Sequence, residues 1–366
     1  MIWRKRQSIV LGEGVNRCMG KENIIEKTDD NYNEARLRMF GLPIIKSVNQ
    51  LLDILCFTPA DEKRFFYSDN RKIFLYHKCE ISKKNSTEKR IIEVPDLRVK
   101  EVQQLINKHI LSKINMPSSC HGFRKKCSVL TNSLPHVGAK TLMKFDIENF
   151  FPSIKLNMII KQFRFFGYGN NVSKYLGYLC VNNDYSLPQG APTSPYLANL
   201  ICMKIDRRIE AFCSQWDLTY TRYADDLTIS SKSYISYKRF EHIQEVVKNI
   251  LDDPNELYSF NLNKKKTHRI VSNNRMIVTG VLVNDKANAP KTLYRELDNA
   301  IRYIKKYGIL NHLKKIEKEK TNIYFYKQHL FGLACYINMF DKEKGKYYFA
   351  KLNEINFDIG GGTKNV

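Results

Sequence analysis

Three carboxylates in this 366-residue chain occupy positions where metal-dependent chemistry could take place. Asp146 follows a short apolar run that predicts a buried strand. Asp225 and Asp226 lie between two β-prone runs, 218–223 and 227–230, which predict a hairpin with both carboxylates at its tip. Carboxylates at strand ends suit Mg²⁺, and two such ions about 3.5–4 Å apart can activate a hydroxyl and stabilise a leaving pyrophosphate. Each Asp alone is equally typical of a solvated turn, so the assignment depends on the motifs around them.

The composition favours a nucleic acid partner. Lys and Arg number 60 against 37 Asp and Glu, which gives a formal net charge of +23. Because each cation beside a phosphate releases condensed counterions, a polyanion is a better explanation than a merely soluble basic surface.

The hydrophobic fraction of 43% excludes a mainly disordered chain. Nine scattered cysteines without a C-x-x-C pair argue against a disulfide framework and a zinc ribbon.

Membrane insertion is not expected. No run of residues approaches the roughly 18 apolar positions that a membrane helix needs. The apolar part of the basic N-terminus is too short for a signal peptide. We therefore expect a cytoplasmic protein with no membrane partner.

Further elements must position the carboxylates. Two strands are predicted at 72–76 and 90–94, separated by a polar turn, and a helix is predicted from Val99 to Ile110. A β segment at 275–283 is interrupted by a turn, and after Pro290 the pattern changes to a basic helical module.

Several blocks of the sequence resemble the conserved motifs of reverse transcriptases. In chain order, Phe145–Ile154 resembles motif A, Leu187–Pro195 motif B, Tyr223–Asp226 the Tyr-x-Asp-Asp box of motif C, and Asn263–Thr267 motif D. Upstream, His121–Arg124 is similar to a fingers block of bacterial reverse transcriptases. The resemblance implies an α+β, right-hand polymerase fold with fingers, a palm of antiparallel sheet plus helices, and a helical thumb.

Two further boxes resemble those of retron reverse transcriptases. Asn132–His136 is similar to the Asn-Ala-x-x-His box, with Ser133 where Ala is usual, and Val278–Gly280 is similar to the Val-Thr-Gly box. Together they favour a retron enzyme over other bacterial classes. The domain organisation then expected is an N-terminal extension (1–40), part of the fingers (41–140), a palm with an inserted fingers segment (141–285), a helical thumb (286–358) and a disordered tail (359–366).

The resemblance assigns the chemistry to particular residues. It implies that Asp146 and Asp225 ligate two Mg²⁺ ions, while Asp226 supports the metal site or the primer end. Lys266 is the expected general acid that protonates pyrophosphate.

The resemblance also implies nucleotide and RNA contacts. The expected nucleotide-binding residues are Lys84 and Arg90 for the triphosphate, Phe151 as a steric gate beneath the sugar, Gln189 near the incoming nucleotide, and Gly190, where the backbone must come close. The expected RNA-binding residues are Asn132, His136, Val278, Thr279, Gly280, Arg302, Lys305 and Lys306.

The function implied is that of a retron's RNA-directed DNA polymerase. It would copy a cognate structured non-coding RNA into branched multicopy single-stranded DNA, beginning at the 2′-OH of a guanosine. Its partners would be that RNA, the DNA product, dNTPs and an effector protein encoded nearby, in anti-phage defence. Alternatives are an abortive-infection or group II intron enzyme, a toxin, and a non-catalytic RNA-binding protein with this fold, which the intact carboxylates disfavour.

Overall fold

The computed structural model describes residues 29, 31–62, 65, 75–82, 89–256, 258–317 and 322–357. Packing divides the chain into two compact units. The first unit contains the described residues up to 125 together with 144–227 and 236–268, and the second contains 126–143, 228–235 and the described residues from 269 onward. The expected five-part organisation stays a prediction. The expectations for residues 1–28 and for the tail 359–366 lie outside the described residues.

Polar side chains begin several of the helices. Ser47, Asp96, Ser236 and Asn322 each accept a hydrogen bond from a backbone N–H two or three residues further on, which satisfies donors that the first turn leaves unpaired. The helices are α1 (Glu34–Met39), α2 (Val48–Ile54), α3 (Pro59–Glu62), α4 (Leu97–His109), α5 (Val129–Ser133), α6 (Phe150–Ser153), α7 (Leu156–Phe166), α8 (Asn170–Leu179), α9 (Ser194–Gln215), α10 (Tyr237–Leu251), α11 (Lys291–Tyr307), α12 (Ile309–Lys315), α13 (Ile323–Phe340) and α14 (Lys342–Asn353).

The strands form three groups. β1 (Tyr76–Ser82) and β2 (Lys89–Pro95) pair antiparallel, with Tyr76 opposite Pro95 and Ser82 opposite Lys89. A four-stranded sheet has the order β4-β5-β3-β6. Its strands are β3 (Thr141–Asp146), β4 (Thr219–Tyr223), β5 (Asp226–Ser231) and β6 (His268–Val271). β7 (Ile277–Val278) and β8 (Val281–Leu282) form a small antiparallel hairpin.

The first unit packs its helices around aromatic and aliphatic side chains. Phe163 and Phe166 of α7 are fully buried, and a Cβ added to Gly177 of α8 would come within 2.9 Å of two α7 side chains. The N-terminal segment also contacts this core: the Asp29 carboxylate accepts hydrogen bonds from the backbone N–H groups of Asn171 and Val172. A residue from the start of the chain therefore caps the first turn of α8.

The second unit contains two hydrophobic clusters. The larger cluster joins α11 to α14 through buried residues such as Leu297, Leu330 and Leu352. The smaller cluster lies beneath the β7–β8 hairpin and includes Val278 and Val281. The amphipathic pattern after Pro290 thus forms a helical module with its own core, as the sequence predicts.

Most elements lie where the sequence places them. The helix predicted from Val99 to Ile110 is α4, and the strands around Asp225 are β4 and β5. Residues 72–74 of the strand predicted at 72–76 lie outside the described residues. The described strand β1 begins at Tyr76 and continues to Ser82 through a largely exposed, partly charged stretch. No helix in the described ranges combines the length and apolar character that a bilayer crossing requires. None of the eight cysteines in the described part of the chain forms a disulfide.

Candidate active site

The three carboxylates are carried by neighbouring strand ends. Asp146 is the last residue of β3 and is 5% exposed. Asp225 lies in the two-residue turn between the neighbouring strands β4 and β5, and Asp226 is the first residue of β5. The backbone N–H of Ile147, directly after Asp146, donates to the carbonyl of Asp225 at 3.1 Å. The turn and the end of β3 are thus joined by a backbone hydrogen bond.

Lys266 reaches the same carboxylates from the segment before β6. Its Nζ lies 2.9 and 3.0 Å from the two carboxylate oxygens of Asp146. A turn built on Asn263 positions this lysine: the Asn263 N–H donates to the carbonyl of Asp146 at 2.8 Å, and its own carbonyl accepts from the N–H of Lys266 at 3.1 Å. The motif D segment is therefore held against motif A at the backbone as well as through the side chain.

The site is short of positive charge. Burial raises the pKa of Asp225, and the neighbouring charges of Asp226 and Asp146 raise it further, against the opposing effects of its own backbone N–H and of Lys266. Burial also raises the pKa of Asp226, and the Asp146 charge adds to this, whereas the cations Lys144 and Lys266 oppose it. Burial lowers the pKa of Lys266, but the hydrogen bond to Asp146 and the three negative charges raise it overall.

This donor set fits a divalent metal. Oxygen ligands from crowded carboxylates are what Mg²⁺ takes in proteins, and a bound cation relieves the repulsion that raises their pKa values. Among the described residues, no three or more His, Cys, Asp and Glu side chains gather around a common point. The Lys266 ammonium instead holds Asp146. For Asp146 to ligate an ion, its carboxylate must exchange the Lys266 ammonium for the metal.

An aromatic cluster lies beside the carboxylates. Phe151, which is partly exposed, has its ring centroid 6.2 Å from that of Phe123, and Phe123 in turn lies 6.5 Å from Tyr223. Phe150 is buried against Phe260, with a centroid distance of 5.9 Å. The partly exposed ring is thus at position 151 and the core ring at position 150, while the steric gate expected at Phe151 stays a prediction.

Sequence reasoning missed Phe123. This residue is 42% exposed and has a backbone φ of +56°, an uncommon conformation for a bulky residue. Phe123 belongs to the His121–Arg124 block, which could have drawn attention to it. The block does not, however, indicate that the ring contacts Phe151.

Motif B is packed against the fingers strand. The Gln189 carbonyl accepts a 2.7 Å hydrogen bond from the N–H of Glu93 in β2. Gly190 has φ +129°, and a Cβ on it would lie 2.8 Å from the Glu93 carbonyl oxygen and 2.9 Å from a methyl of Ile92. Glycine is required here by both the conformation and the close approach. Arg90 is exposed on the same strand, and Lys84 lies outside the described residues.

The two retron-like boxes contact each other. The Asn132 side-chain amide donates to the Thr279 hydroxyl at 3.3 Å. His136 shares a 2.7 Å hydrogen bond with Ser230, and Asn132 and His136 are both fully buried. Burial prevents direct RNA contact by these two side chains in this conformation, so any effect on RNA would pass through the residues they hold.

The β7–β8 turn presents the second box. Val278 is buried, whereas Thr279 and Gly280 have positive φ values of 45° and 84°, as in the two-residue turns favoured by hairpins. A Cβ on Gly280 would meet nothing within 4 Å. Val278 therefore anchors the turn in the core, and Gly280 faces open space.

The three thumb cations differ in their surroundings. Arg302 is exposed on α11. Lys305 forms a salt bridge with Glu354, and Lys306 lies 5.0 Å from the ring centroid of Tyr307. Arg302 is thus the most accessible of the three to a phosphate.

Comparison with known proteins gives consistent matches. Residues 81–327 match the reverse transcriptase (RNA-dependent DNA polymerase) family. The chain is 32% identical over 280 residues to the retron Ec86 reverse transcriptase of Escherichia coli, covering 76% of this chain and 84% of that protein. It is 28% identical over 388 residues to the retron Mx162 reverse transcriptase of Myxococcus xanthus, covering 96% and 76%. A solved telomerase from Candida albicans, in complex with a fragment of telomeric RNA, aligns with a TM-score of 0.41 and 11% identity over 76% of this chain and 63% of that one.

The family match contains motifs A to D and both retron-like boxes. The fold is the polymerase fold of fingers, palm and thumb, and an enzyme of this family takes an RNA template and depends on divalent metal ions. The chain belongs to the retron-type bacterial reverse transcriptases, which are RNA-directed DNA polymerases.

Proposed function

We propose that this enzyme reverse transcribes the structured non-coding RNA of its own retron into branched multicopy single-stranded DNA, and that it acts in anti-phage defence with an effector protein encoded nearby. Synthesis begins at a guanosine 2′-OH of that RNA. The observation that carries the proposal is the contact between Asn132 and Thr279, since it joins the two boxes that resemble those of retron enzymes. The names of the relatives support the same reading.

For catalysis, we propose that Asp146 and Asp225 hold two Mg²⁺ ions and that Asp226 supports them. These ions, when bound, activate the attacking hydroxyl and stabilise the charge that develops on the phosphates. Lys266 is protonated beside three carboxylates and is 60% exposed at its side chain. Once its ammonium no longer pairs with Asp146, Lys266 can turn towards the leaving pyrophosphate and give it a proton.

Sugar selection is proposed for the aromatic cluster beside these residues. We propose that the Phe151 ring meets the position of a 2′-OH on the incoming nucleotide. The rings of Phe123 and Phe150 lie beside it, with centroids 6.2 and 5.4 Å away. Rejection of ribonucleotides is therefore a steric clash, and no lost hydrogen bond is needed.

The product tests the proposal. The chain is expressed with its adjacent non-coding RNA, and the nucleic acid that co-purifies is sequenced and treated with a 2′–5′ debranching enzyme. We expect one DNA species joined to one RNA, and debranching should release it. Unbranched DNA from arbitrary RNAs would contradict a retron product and favour the abortive-infection alternative.

Two variants separate the chemistry from RNA recognition. Replacing Asp225 and Asp226 together with Ala should abolish DNA synthesis and leave RNA binding intact, so DNA synthesis near the wild-type rate would contradict the metal assignment. Exchanging residues 278–280 should reduce the preference for the cognate RNA more than synthesis on a generic primer-template. Phage plating with and without the neighbouring gene tests the defence role.

A further inference from the structure

Arg222 is the largest fully buried side chain in the described part of the chain, and all five of its N–H donors have partners. Nε and one terminal nitrogen donate to the two carboxylate oxygens of Asp206 at 2.8 and 2.7 Å. The other nitrogen donates to the Asn199 amide oxygen at 3.0 Å and to the Ala224 carbonyl at 3.1 Å. The last donor meets the Cys120 sulfur at 3.3 Å. A guanidinium matched so completely is held in one orientation.

Helix α9 supplies the fixed side of this network. Asn199 and Asp206 are seven residues apart, two turns along one face of the helix that follows motif B. Asp206 also accepts a 2.9 Å hydrogen bond from the Tyr220 hydroxyl, and the Asn199 amide donates to the Gly122 carbonyl at 2.8 Å. Both anchoring side chains are therefore hydrogen-bonded to groups other than Arg222.

The other side of this network is the turn that carries Asp225. Ala224 has a φ of +58°, a conformation that costs a non-glycine residue energy and persists only where the surroundings impose it. Its carbonyl belongs to the peptide that leads into Asp225, and Arg222 holds that carbonyl. A Cβ on Gly122 would come within 2.5 Å of the Ala224 nitrogen, so the backbone of the turn is also closely packed at this point.

We propose that Arg222 is a positioning residue for catalysis: from behind the turn it fixes the Ala224–Asp225 peptide and thereby the direction in which the Asp225 carboxylate points. This inference rests on the proposed metal-binding role of Asp225. The ion pair with Asp206 alone could be replaced by neutral side chains with little loss of stability. The donor to the Ala224 carbonyl has no such substitute, and this separates a positioning role from a structural one.

The test uses a double variant that removes both charges, Arg222→Met with Asp206→Asn. Asn at 206 still accepts from Tyr220, so the protein should fold and bind its RNA as the wild type does. We expect the Mg²⁺ concentration for half-maximal nucleotide incorporation to rise about tenfold, as the loss of one oriented hydrogen bond implies. Mn²⁺ binding, followed by the electron paramagnetic resonance of the free ion, should weaken by the same factor. A smaller folded fraction would lower the maximal rate and leave both midpoints unchanged.

A matched pair elsewhere in the first unit provides the control. Arg98 also binds an aspartate through two nitrogens, with Asp61 at 2.9 and 2.8 Å. Arg98→Met with Asp61→Asn should leave both metal midpoints at the wild-type values. Wild-type midpoints in the Arg222 double variant, or equal shifts in both double variants, would overturn the proposal.

Two further variants keep the outcomes separable. Arg222→Lys retains a charge opposite Asp206 with three donors instead of five. If the double variant does not fold, the two metal midpoints are measured in Arg222→Lys instead. Asp225→Asn tests the underlying assignment: full activity in it would refute the metal role of Asp225. Loss of activity in Asp225→Asn together with wild-type metal midpoints in the Arg222 double variant would refute the positioning role of Arg222 and leave the metal role of Asp225 standing.

Discussion

A single methyl group at Gly190 should disturb the contact between motif B and the fingers strand. Gly190 has φ +129°, which side chains rarely tolerate, and the new Cβ in Gly190→Ala would overlap the Glu93 carbonyl oxygen at 2.8 Å and the Ile92 side chain at 2.9 Å. The Glu93 carbonyl belongs to the backbone of β2, so it cannot turn aside as the end of a long side chain could. Either β2 or the motif B turn must move.

Two costs add at this position. The backbone conformation costs a non-glycine residue about 1–3 kcal/mol. Forcing a methyl against packed atoms costs about 1–3 kcal/mol more. The displacement also lengthens the 2.7 Å hydrogen bond from Glu93 to the Gln189 carbonyl. We therefore expect Gly190→Ala to lower the free energy of unfolding by about 2–6 kcal/mol and to raise the KM for dNTPs more than it lowers kcat.

Gly41 provides a control of the same substitution. It also has a positive φ, +65°, but a Cβ there would meet nothing within 4 Å. Gly41→Ala should therefore cost only the conformational part, about 1–2 kcal/mol, with wild-type nucleotide kinetics. Urea unfolding and single-nucleotide incorporation with both variants measure the two effects. If Gly190→Ala cost no more than Gly41→Ala and left the KM for dNTPs unchanged, the close packing of motif B on β2 would have no functional weight.

Further predictions concern sugar choice, acid stability and RNA binding. Phe151→Ala should raise the use of GTP relative to dGTP in single-nucleotide incorporation, whereas Phe150→Ala should cost about 3–5 kcal/mol of stability without changing that ratio. The hydrogen bond from Arg98 lowers the pKa of Asp61 from 3.8 to about 2. The pair therefore contributes about 2 kcal/mol above pH 4 that is lost as the pH falls through 2, and unfolding curves of Asp61→Asn should converge with wild type over that range. Arg302→Glu should weaken RNA binding and flatten its salt dependence; an unchanged slope would mean that this cation is only solvated.

The sequence predicts the elements that carry local signals. The strands on either side of Asp225 and the strand ending at Asp146 are short apolar runs bounded by turn residues, and they form where their patterns place them. The part of β1 from His77 to Ser82 was not predicted, because it pairs with β2 and has little apolar pattern of its own. Its partner strand, with Ile91 and Ile92, was predictable.

The site could be predicted as a set of residue types, but not as a set of contacts. Nothing local in the sequence indicates that Lys266 binds Asp146, 120 residues away, or that Asn132 meets Thr279, 147 residues away. The burial of His136 and the hydrogen bonds of the Arg222 guanidinium depend likewise on chain segments brought together by the fold. Type and spacing suggest chemistry, whereas burial and pairing arise only from tertiary structure.

The bond between Asn132 and Thr279 has a consequence for engineering orthogonal retrons. Transplanting the β7–β8 turn alone, to redirect an enzyme to a foreign RNA, places a new loop against the buried Asn132 amide. That amide is hydrogen-bonded to Thr279 of the original turn. On the proposal that this turn reads the RNA, the segment to transfer is discontinuous and comprises the turn together with the Asn132–His136 segment. Chimaeras that exchange both pieces should gain the new specificity with fewer compensating mutations than single-loop grafts.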